Sequence, residues 1–188
     1  MRLPDRINQI LGDPNALTLF RILTVPVVVV LMIAPNRWTS LCAALLFSAA
    51  AITDYFDGYL ARRKGMISNL GKVMDPVADK LLVSCAFIML AAQQWVPAWI
   101  VCVIIGREIA VTGLRNLIAH HQADVSASQL GKYKTGFQIA AAIPLLIHYE
   151  FFWLDVQVIG QFFLWGALLF TVWSGVDYFV RHRKLLQP

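Results

Sequence analysis

Residues 54–62 read DYFDGYLAR, and after eight more residues Gly71, Asp75 and Asp79 follow at intervals of four. In a helix, the two aspartates, the glycine and the alanine of the first group share one face, and so do the three residues of the second group. The polar, glycine-containing segment 63–70 predicts a turn between two helices. Helices joined by so short a turn are antiparallel neighbours, so the four aspartates are expected at matching depths on facing surfaces.

The composition around this motif is that of a membrane protein. The chain has 188 residues, of which 59% are hydrophobic and only 14% charged, and its mean hydropathy is +0.64. Soluble domains carry about 25% charged residues, and a membrane span needs about 20 apolar residues. We therefore expect an all-α integral membrane protein with six transmembrane helices, and neither a soluble domain, a disordered chain nor a disulfide-stapled secreted module. The expected spans are approximately 16–34, 39–60, 72–93, 95–119, 134–149 and 156–180.

The lysines and arginines outside these spans lie almost entirely on one side. When Lys72 and Lys134, the first residues of their spans, are counted with the cytoplasmic group, eleven of the sixteen fall on that side. Arg37 alone falls on the other side, and the remaining four lie further inside spans. Basic residues favour the cytoplasmic side, so both termini are expected there. The net charge of +5 is explained in this way, without a nucleic-acid partner.

Three parts of the chain follow from this topology. Residues 1–15 are expected to be a cytoplasmic juxtamembrane segment, amphipathic and lying on the membrane surface. Residues 16–180 form the helical domain, and residues 181–188 form a basic cytoplasmic tail. A cleaved signal peptide is disfavoured, because polar residues interrupt the start of the first apolar run and no small-residue cleavage site follows it.

Three cysteines, Cys42, Cys85 and Cys102, stand inside apolar stretches. Their number is odd and none is part of a CxxC pair. They are therefore expected to be buried free thiols, and neither metal ligands nor disulfides.

Four carboxylates inside a membrane need compensation, because each costs about 2.5–3.5 kcal/mol at a helix centre. One alternative is ion pairing with Arg62, Lys72 and Lys80. The other is a divalent metal site, since ligands that are all oxygen favour Mg²⁺, Mn²⁺ or Ca²⁺. Four carboxylates on neighbouring helices have room for two ions about 3.5–4 Å apart.

Small residues stand among these carboxylates: Gly58, Ala61 and Gly71. They permit close helix contact, and they also leave a gap that a ligand could fill. A metal pair with adjacent glycines and Arg62 suits a pyrophosphate, whose charge the metals neutralise.

The pattern D-x-x-D-G-x-x-A-R, eight residues, G-x-x-x-D-x-x-x-D resembles the signature of the CDP-alcohol phosphotransferase family, and every signature position is matched. The family has six transmembrane helices, and its members displace CMP from a CDP-linked alcohol with a second alcohol. The resemblance implies Asp54, Asp57 and Asp75 as metal ligands for Mg²⁺ or Mn²⁺, with Asp79 as the general base and a further ligand. It also implies that Gly58, Ala61, Arg62 and Gly71 contact the cytidine nucleotide, and that the chain forms a homodimer.

A second group of residues is basic. Arg107 and Arg115 are eight residues apart in the fourth span, and Lys132 and Lys134 lie near the start of the fifth. One alternative is pairing of these arginines with Glu108 or with an aspartate of the motif. The other is a phosphate site, because arginines inside a membrane often mark a substrate.

These basic residues lie in short sequence strings that are similar to those of one branch of the family. That branch uses glycerol 3-phosphate as acceptor. The strings are GRE at 106–108 with Thr112, Leu114 and Arg115, and GKYKT at 131–135 with Gln138. The segment around Asn15, Thr18 and Arg21 likewise resembles the family's first helix. We assign those three residues to CDP-diacylglycerol binding, although a helix-packing stripe would give the same pattern.

The resemblance therefore implies a membrane enzyme that transfers the phosphatidyl group of CDP-diacylglycerol to glycerol 3-phosphate and releases CMP. One alternative keeps the family and changes the acceptor, as in synthases of cardiolipin, phosphatidylserine or phosphatidylinositol phosphate. A divalent-cation transporter is an alternative from another class. Transporter sites lie near the membrane midplane, often within repeats, whereas these aspartates lie towards the cytoplasmic side and the chain shows no repeat.

Overall fold

The structure is a computed structural model that describes residues 14–64, 69–120, 129–150 and 155–183. Its side chains are described over 18–53, 77–118, 130–150 and 155–181, and at position 183. Six α-helices account for most of these residues, and no strand occurs among them. They are α1 (Pro14–Leu31), α2 (Arg37–Lys64), α3 (Asn69–Ala92), α4 (Ala98–His120), α5 (Gln129–Ile147) and α6 (Val156–His182). The all-α prediction is confirmed. Of the expected juxtamembrane segment 1–15, residues 1–13 lie outside the described residues, and Pro14 and Asn15 begin α1.

Several helices extend beyond the expected apolar spans. α2 continues to Lys64 and α3 begins at Asn69, so both halves of the aspartate motif lie on helical backbone. α5 begins at Gln129, five residues before the expected start, and therefore includes Lys132 and Lys134. The reason is physical: hydropathy marks where a segment becomes polar, whereas backbone hydrogen bonding continues through polar residues with good helix propensity.

The chain divides into two compact units, and the first covers Met1–Met89. Within it α1 packs against α2. The buried face of α1 begins with the polar residues Thr18, Arg21 and Thr24 and continues with Val28 and Met32. The opposite face exposes large apolar side chains, which include Leu19, Leu23 and Val30. This helix is therefore polar towards its protein neighbours and apolar outwards.

The second unit covers Leu90–Pro188, and in it α6 packs against α5 and α4. Two glycines of α6 permit the contact with α5. A Cβ atom on Gly160 would lie 2.7 Å from Cγ of Leu145, and one on Gly166 would lie 2.5 Å from Cδ1 of Phe137. Both distances are far inside van der Waals contact, so any side chain at these positions would push the two helices apart.

One end of the second unit is closed by aromatic and polar contacts. The rings of Trp95 and His148 are stacked at 3.6 Å, with Tyr149 edge-on to both. Gln161 Nε2 donates to the Trp95 carbonyl at 3.3 Å. The α3–α4 connection and the end of α5 thus lie at the same end of this unit, as a chain that crosses back and forth requires.

Side-chain caps set the starts of α2 and α6. Asn36 Oδ1 accepts from the backbone N–H groups of Trp38 and Thr39 at 2.9 and 3.0 Å, while Thr39 Oγ1 accepts from Asn36 N at 2.8 Å. This reciprocal pair is a capping box. Asp155 Oδ1 accepts from Gln157 N at 3.0 Å at the start of α6.

Among the described residues, Val156–Arg181 is the one helix long and apolar enough to cross a membrane. Shorter apolar stretches run over Thr18–Leu31 and Arg37–Thr53. α4 is interrupted by Arg107, Glu108 and Arg115, which explains why it does not stand out as a span. The outward face of α6 carries large exposed apolar side chains: Phe162, Trp165, Leu169, Val172, Trp173 and Val176.

The expectation that the cysteines are buried is wrong for two of the three. All three are free thiols, but Cys42 and Cys102 are exposed and Cys85 is half-buried. They stand on the outward, apolar sides of their helices. An apolar neighbourhood in the sequence does not separate helix–helix contacts from an apolar outer surface, because both select the same residue types.

Candidate active site

The first group of candidate residues is the aspartate motif on α2 and α3. The helical backbone holds Asp54, Asp57 and Asp75 at the spacing that the sequence predicts, but their side chains lie outside the described set. Among the side chains that the structure does describe, no three histidines, cysteines or acids are grouped as metal ligands. The metal assignment of these three residues therefore stays a prediction.

Asp79, the fourth aspartate of the motif, lies against Arg21 of α1. The Arg21 guanidinium donates to Oδ1 of Asp79 in an ion pair, and the Arg21 side chain is only 2% exposed against 40% for Asp79. A buried guanidinium needs a partner, because an uncompensated charge away from water is costly. The possible partners predicted from the sequence for the aspartates are Arg62, Lys72, Lys80, Arg107 and Arg115, and Arg21 is missed.

A sequence signal for this pairing existed in the stripe of polar residues on α1. Thr18 and Thr24 are buried on the same face as Arg21, and Thr24 Oγ1 donates back to the Phe20 carbonyl at 2.8 Å. A buried arginine among threonines on an otherwise apolar helix indicates an acid opposite. Both interpretations of the stripe remain compatible with this geometry, since the stripe is packed and it reaches Asp79. The other residues expected at the nucleotide lie outside the described side chains: Asn15, Gly58, Ala61, Arg62 and Gly71.

A separate group of candidate residues is a charged cluster around Glu108, within the second unit. Glu108 Oε1 accepts from Arg107 Nη1 at 3.2 Å and from Nζ of Lys134 on α5. All three side chains are largely buried, with Lys134 at 5% exposed and the other two near 15%. The expected alternative of an Arg107–Glu108 pair is therefore present. Arg107 and Lys134 thus share one oxygen of the Glu108 carboxylate.

α6 supplies a further contact to Arg107. Arg107 Nη2 donates to Ser174 Oγ at 3.0 Å, and the Ser174 hydroxyl donates to the Thr171 carbonyl at 3.2 Å. Gln138 of α5 donates to Thr171 Oγ1 at 3.4 Å. Ser174 was missed by sequence reasoning, because it stands 67 residues from Arg107 within an apolar helix and no spacing rule links them.

Two of the four residues expected at the acceptor phosphate are not in this cluster. Arg115 and Lys132 are both exposed, whereas Arg107 and Lys134 share Glu108. Eight residues carry a helix about 12 Å along its axis and about 80° past two full turns. Arg115 is therefore displaced from Arg107 both along the helix axis and around it, which is consistent with its position outside the cluster.

An anion would complete the hydrogen bonding of Arg107. Its Nε is buried and has no hydrogen-bond partner within the described residues. A buried N–H without an acceptor costs about 1–3 kcal/mol. A phosphate oxygen at this position would satisfy it, and guanidinium groups bind phosphate through two parallel hydrogen bonds.

Comparison with known proteins gives a consistent result. The family model for CDP-alcohol phosphatidyltransferases matches residues 12–173. A Bacillus subtilis protein named CDP-diacylglycerol–glycerol-3-phosphate 3-phosphatidyltransferase is 43% identical over 186 residues, which cover 93% of this chain and 96% of that protein. Proteins of the same name from Rickettsia typhi and Escherichia coli K12 are 39% and 37% identical over 169 residues. These cover 88% of this chain and 94% and 91% of the two relatives.

The matched region contains both halves of the aspartate motif and the whole Arg107–Lys134 cluster. The family's bacterial members are membrane enzymes, and use of divalent metal ions is general among them. The resemblance inferred from the motif is thus confirmed, and the transporter alternative is set aside. The chain belongs to the CDP-alcohol phosphatidyltransferase family.

Proposed function

We propose that this enzyme transfers the phosphatidyl group of CDP-diacylglycerol to sn-glycerol 3-phosphate, giving phosphatidylglycerophosphate and CMP. Relatives at 37–43% identity over at least 88% of the chain bear the name of that reaction. The observation that carries the choice of acceptor is the buried Arg107–Glu108–Lys134 cluster, where the Nε–H of Arg107 has no acceptor among the described residues. An uncharged acceptor gives no reason to bury two cations, since their desolvation costs several kcal/mol per ion.

The donor would bind at the aspartate motif. Asp54, Asp57, Asp75 and Asp79 would hold Mg²⁺ or Mn²⁺ as a pair of ions, and metal bound there would neutralise the charge of the pyrophosphate. The helical spacing of these residues on α2 and α3 supports this set, and carboxylate oxygens are suitable donors for such ions. The nucleotide would contact Asn15, Thr18, Gly58, Ala61, Arg62 and Gly71.

The chain's own groups then carry the transfer. Asp79 accepts the proton of the C1 hydroxyl of glycerol 3-phosphate, and Arg21 fixes one oxygen of that carboxylate. The acceptor oxygen forms a bond to the phosphorus nearest the lipid, in line with the bond that breaks to release CMP. Arg107 and Lys134, joined by the exposed Arg115 and Lys132, would hold the acceptor phosphate. Positioning and charge stabilisation supply most of the rate in such reactions.

The membrane arrangement is part of the same proposal. Six helices would cross the membrane, with both termini and the site on the cytoplasmic side, and the enzyme would form a homodimer. The outward apolar faces of α1 and α6, combined with polar residues facing inwards, support this arrangement. An exposed apolar face of that kind marks a lipid or protein contact, and the bacterial relatives support a bacterial inner membrane as the location of the chain. The transfer would take place in the helical domain, residues 16–180.

Cysteine labelling tests the sidedness. Because Cys42 and Cys102 are exposed, single cysteines should be introduced into a background in which all three natural ones are replaced by alanine. We expect Met66→Cys and Asp124→Cys to react with a membrane-impermeant maleimide only from the cytoplasmic side. Ala34→Cys and Trp153→Cys should react only from outside. Ala34 is used in place of Asn36, because the Asn36 side chain caps α2. The opposite pattern would contradict both the topology and the cytoplasmic site.

Loss of Arg107 tests the acceptor site. Arg107→Ala should raise the KM for glycerol 3-phosphate by roughly 10- to 100-fold, since a charge-assisted contact to phosphate contributes up to about 3 kcal/mol when buried. The KM for CDP-diacylglycerol should change little. Arg107→Lys should rescue only in part, because the two-point guanidinium contact is lost. An increase confined to the CDP-diacylglycerol KM would place Arg107 at the donor and contradict the assignment.

A further inference from the structure

We propose that Ser174 and Gly175 of α6 are positioning residues that seat Arg107 for the acceptor phosphate. The inference rests on the proposed function, since it assumes that Arg107 binds that phosphate. Neither residue belongs to a charged or polar motif, and neither is predicted from the sequence to take part in the site. Both are brought to Arg107 by the packing of α6 against α4 within the second unit.

Ser174 orients the guanidinium by a hydrogen bond of fixed direction. Ser174 is completely buried, and its hydroxyl hydrogen is committed to the Thr171 carbonyl at 3.2 Å. Its oxygen is therefore presented as an acceptor to Arg107 Nη2, at 3.0 Å. With Nη1 held by Glu108, the plane of the guanidinium is defined by contacts at both terminal nitrogens.

Gly175 provides the space in which the Arg107 side chain lies. A Cβ atom at this position would stand 3.1 Å from Cγ of Arg107 and 3.8 Å from its Nε. The first distance is tighter than ordinary van der Waals contact, so Arg107 would have to move. The second shows that a side chain here would also stand in van der Waals contact with the Nε–H group, which has no hydrogen-bond partner among the described residues. Any residue larger than glycine would therefore displace the Arg107 side chain.

Kinetics of single variants give the first test, on the full-length enzyme in detergent–lipid micelles. We expect Gly175→Ala and Ser174→Ala each to raise the KM for glycerol 3-phosphate by roughly 3- to 10-fold, the size of effect that one ordinary hydrogen bond contributes. The KM for CDP-diacylglycerol and the kcat should change by less than about 2-fold. Two variants are used because alanine at position 175 could also loosen the helix packing.

Two other glycines provide matched controls. Gly113→Ala places a Cβ where nothing lies within 4 Å, and Gly166→Ala places one against the Phe137 ring, far from Arg107 along α6. Gly113→Ala should leave the kcat and both KM values unchanged. Gly166→Ala should lower the thermal stability without raising the KM for glycerol 3-phosphate selectively. If Gly166→Ala raises this KM as much as Gly175→Ala does, a general loss of helix packing explains the effect. The positioning role of Ser174 and Gly175 is then contradicted.

A double-mutant cycle separates the positioning role of Ser174 from the proposed binding of the acceptor phosphate by Arg107. If Ser174 acts through Arg107, then Ser174→Ala should cause no further rise in KM in the Arg107→Ala background. Independent, multiplying effects would overturn the positioning role while leaving the acceptor site intact. If Arg107→Ala alone leaves the KM for glycerol 3-phosphate unchanged, the assignment of Arg107 to the acceptor site is contradicted. The positioning role of Ser174 and Gly175 is then contradicted as well.

Discussion

Asparagine at position 57 is expected to abolish turnover by the protein while leaving it folded in the membrane. Asp57→Asn preserves the size of the side chain but removes a negative charge from the expected metal set, and the same holds for Asp54→Asn and Asp75→Asn. Losing one preorganised electrostatic stabiliser costs about 10²- to 10³-fold in rate, and loss of bound metal would add to this. The measurement is CMP release from labelled CDP-diacylglycerol in the presence of Mg²⁺ or Mn²⁺.

Asp155→Asn is the matched control for these variants. It is the same chemical change at the start of α6, where asparagine caps a helix as well as aspartate does. We expect it to retain wild-type activity. A chelator should silence the wild-type enzyme, and added Mg²⁺ or Mn²⁺ should restore it. Full activity in one of the three motif variants would remove that residue from the metal set.

The second large effect is expected at Asp79. Asp79→Asn should lower the rate of the chemical step by about 10²- to 10⁴-fold, the range attributed to a general base. Because the amide oxygen can still accept from Arg21, the variant should fold. Asp79→Leu, by contrast, would remove the carboxylate that pairs with a buried guanidinium, and breaking a buried ion pair in this way costs about 3–5 kcal/mol. Asparagine therefore separates the chemical role of this side chain from its structural one.

Single-turnover rates and CDP-diacylglycerol affinity should be measured together for Asp79→Asn. The expected result is a slow chemical step with an affinity within a few-fold of wild type. An affinity that falls in parallel with the rate would show that Asp79 acts chiefly as a ligand of metal and donor. The base assignment would then be wrong, although the aspartate motif would keep its place in the site.

Most of the helical organisation could be predicted, because apolar length and the positions of charges follow directly from the bilayer. The ends of the helices could not. α5 starts at Gln129 and α2 continues to Lys64 through polar residues, since hydrogen bonding along the backbone does not stop where hydropathy falls. The exposure of Cys42 and Cys102 was also missed, because lipid-facing and helix-facing positions have similar compositions.

Helical spacing and local strings are the two signals that the sequence offers for the candidate site. The aspartate motif follows helical spacing, and its metal role stays a prediction, whereas the strings point to Arg107 and Lys134, which meet at Glu108. Contacts that depend on tertiary packing were not predictable. Arg21 reaches Asp79 from 58 residues away, and Ser174 reaches Arg107 from 67. No periodicity connects such positions, so only the packing of the helices within each unit reveals these pairs.

An acceptor panel tests the proposed reaction most directly. The purified full-length enzyme, in micelles containing labelled CDP-diacylglycerol and Mg²⁺, would be offered glycerol 3-phosphate, glycerol, serine, inositol 1-phosphate or phosphatidylglycerol. The lipid product would be identified by mass. We predict that glycerol 3-phosphate alone gives product, with the mass of phosphatidylglycerophosphate and one CMP released for each molecule formed. Equal use of unphosphorylated glycerol, or a main product from another acceptor, would contradict the proposed reaction.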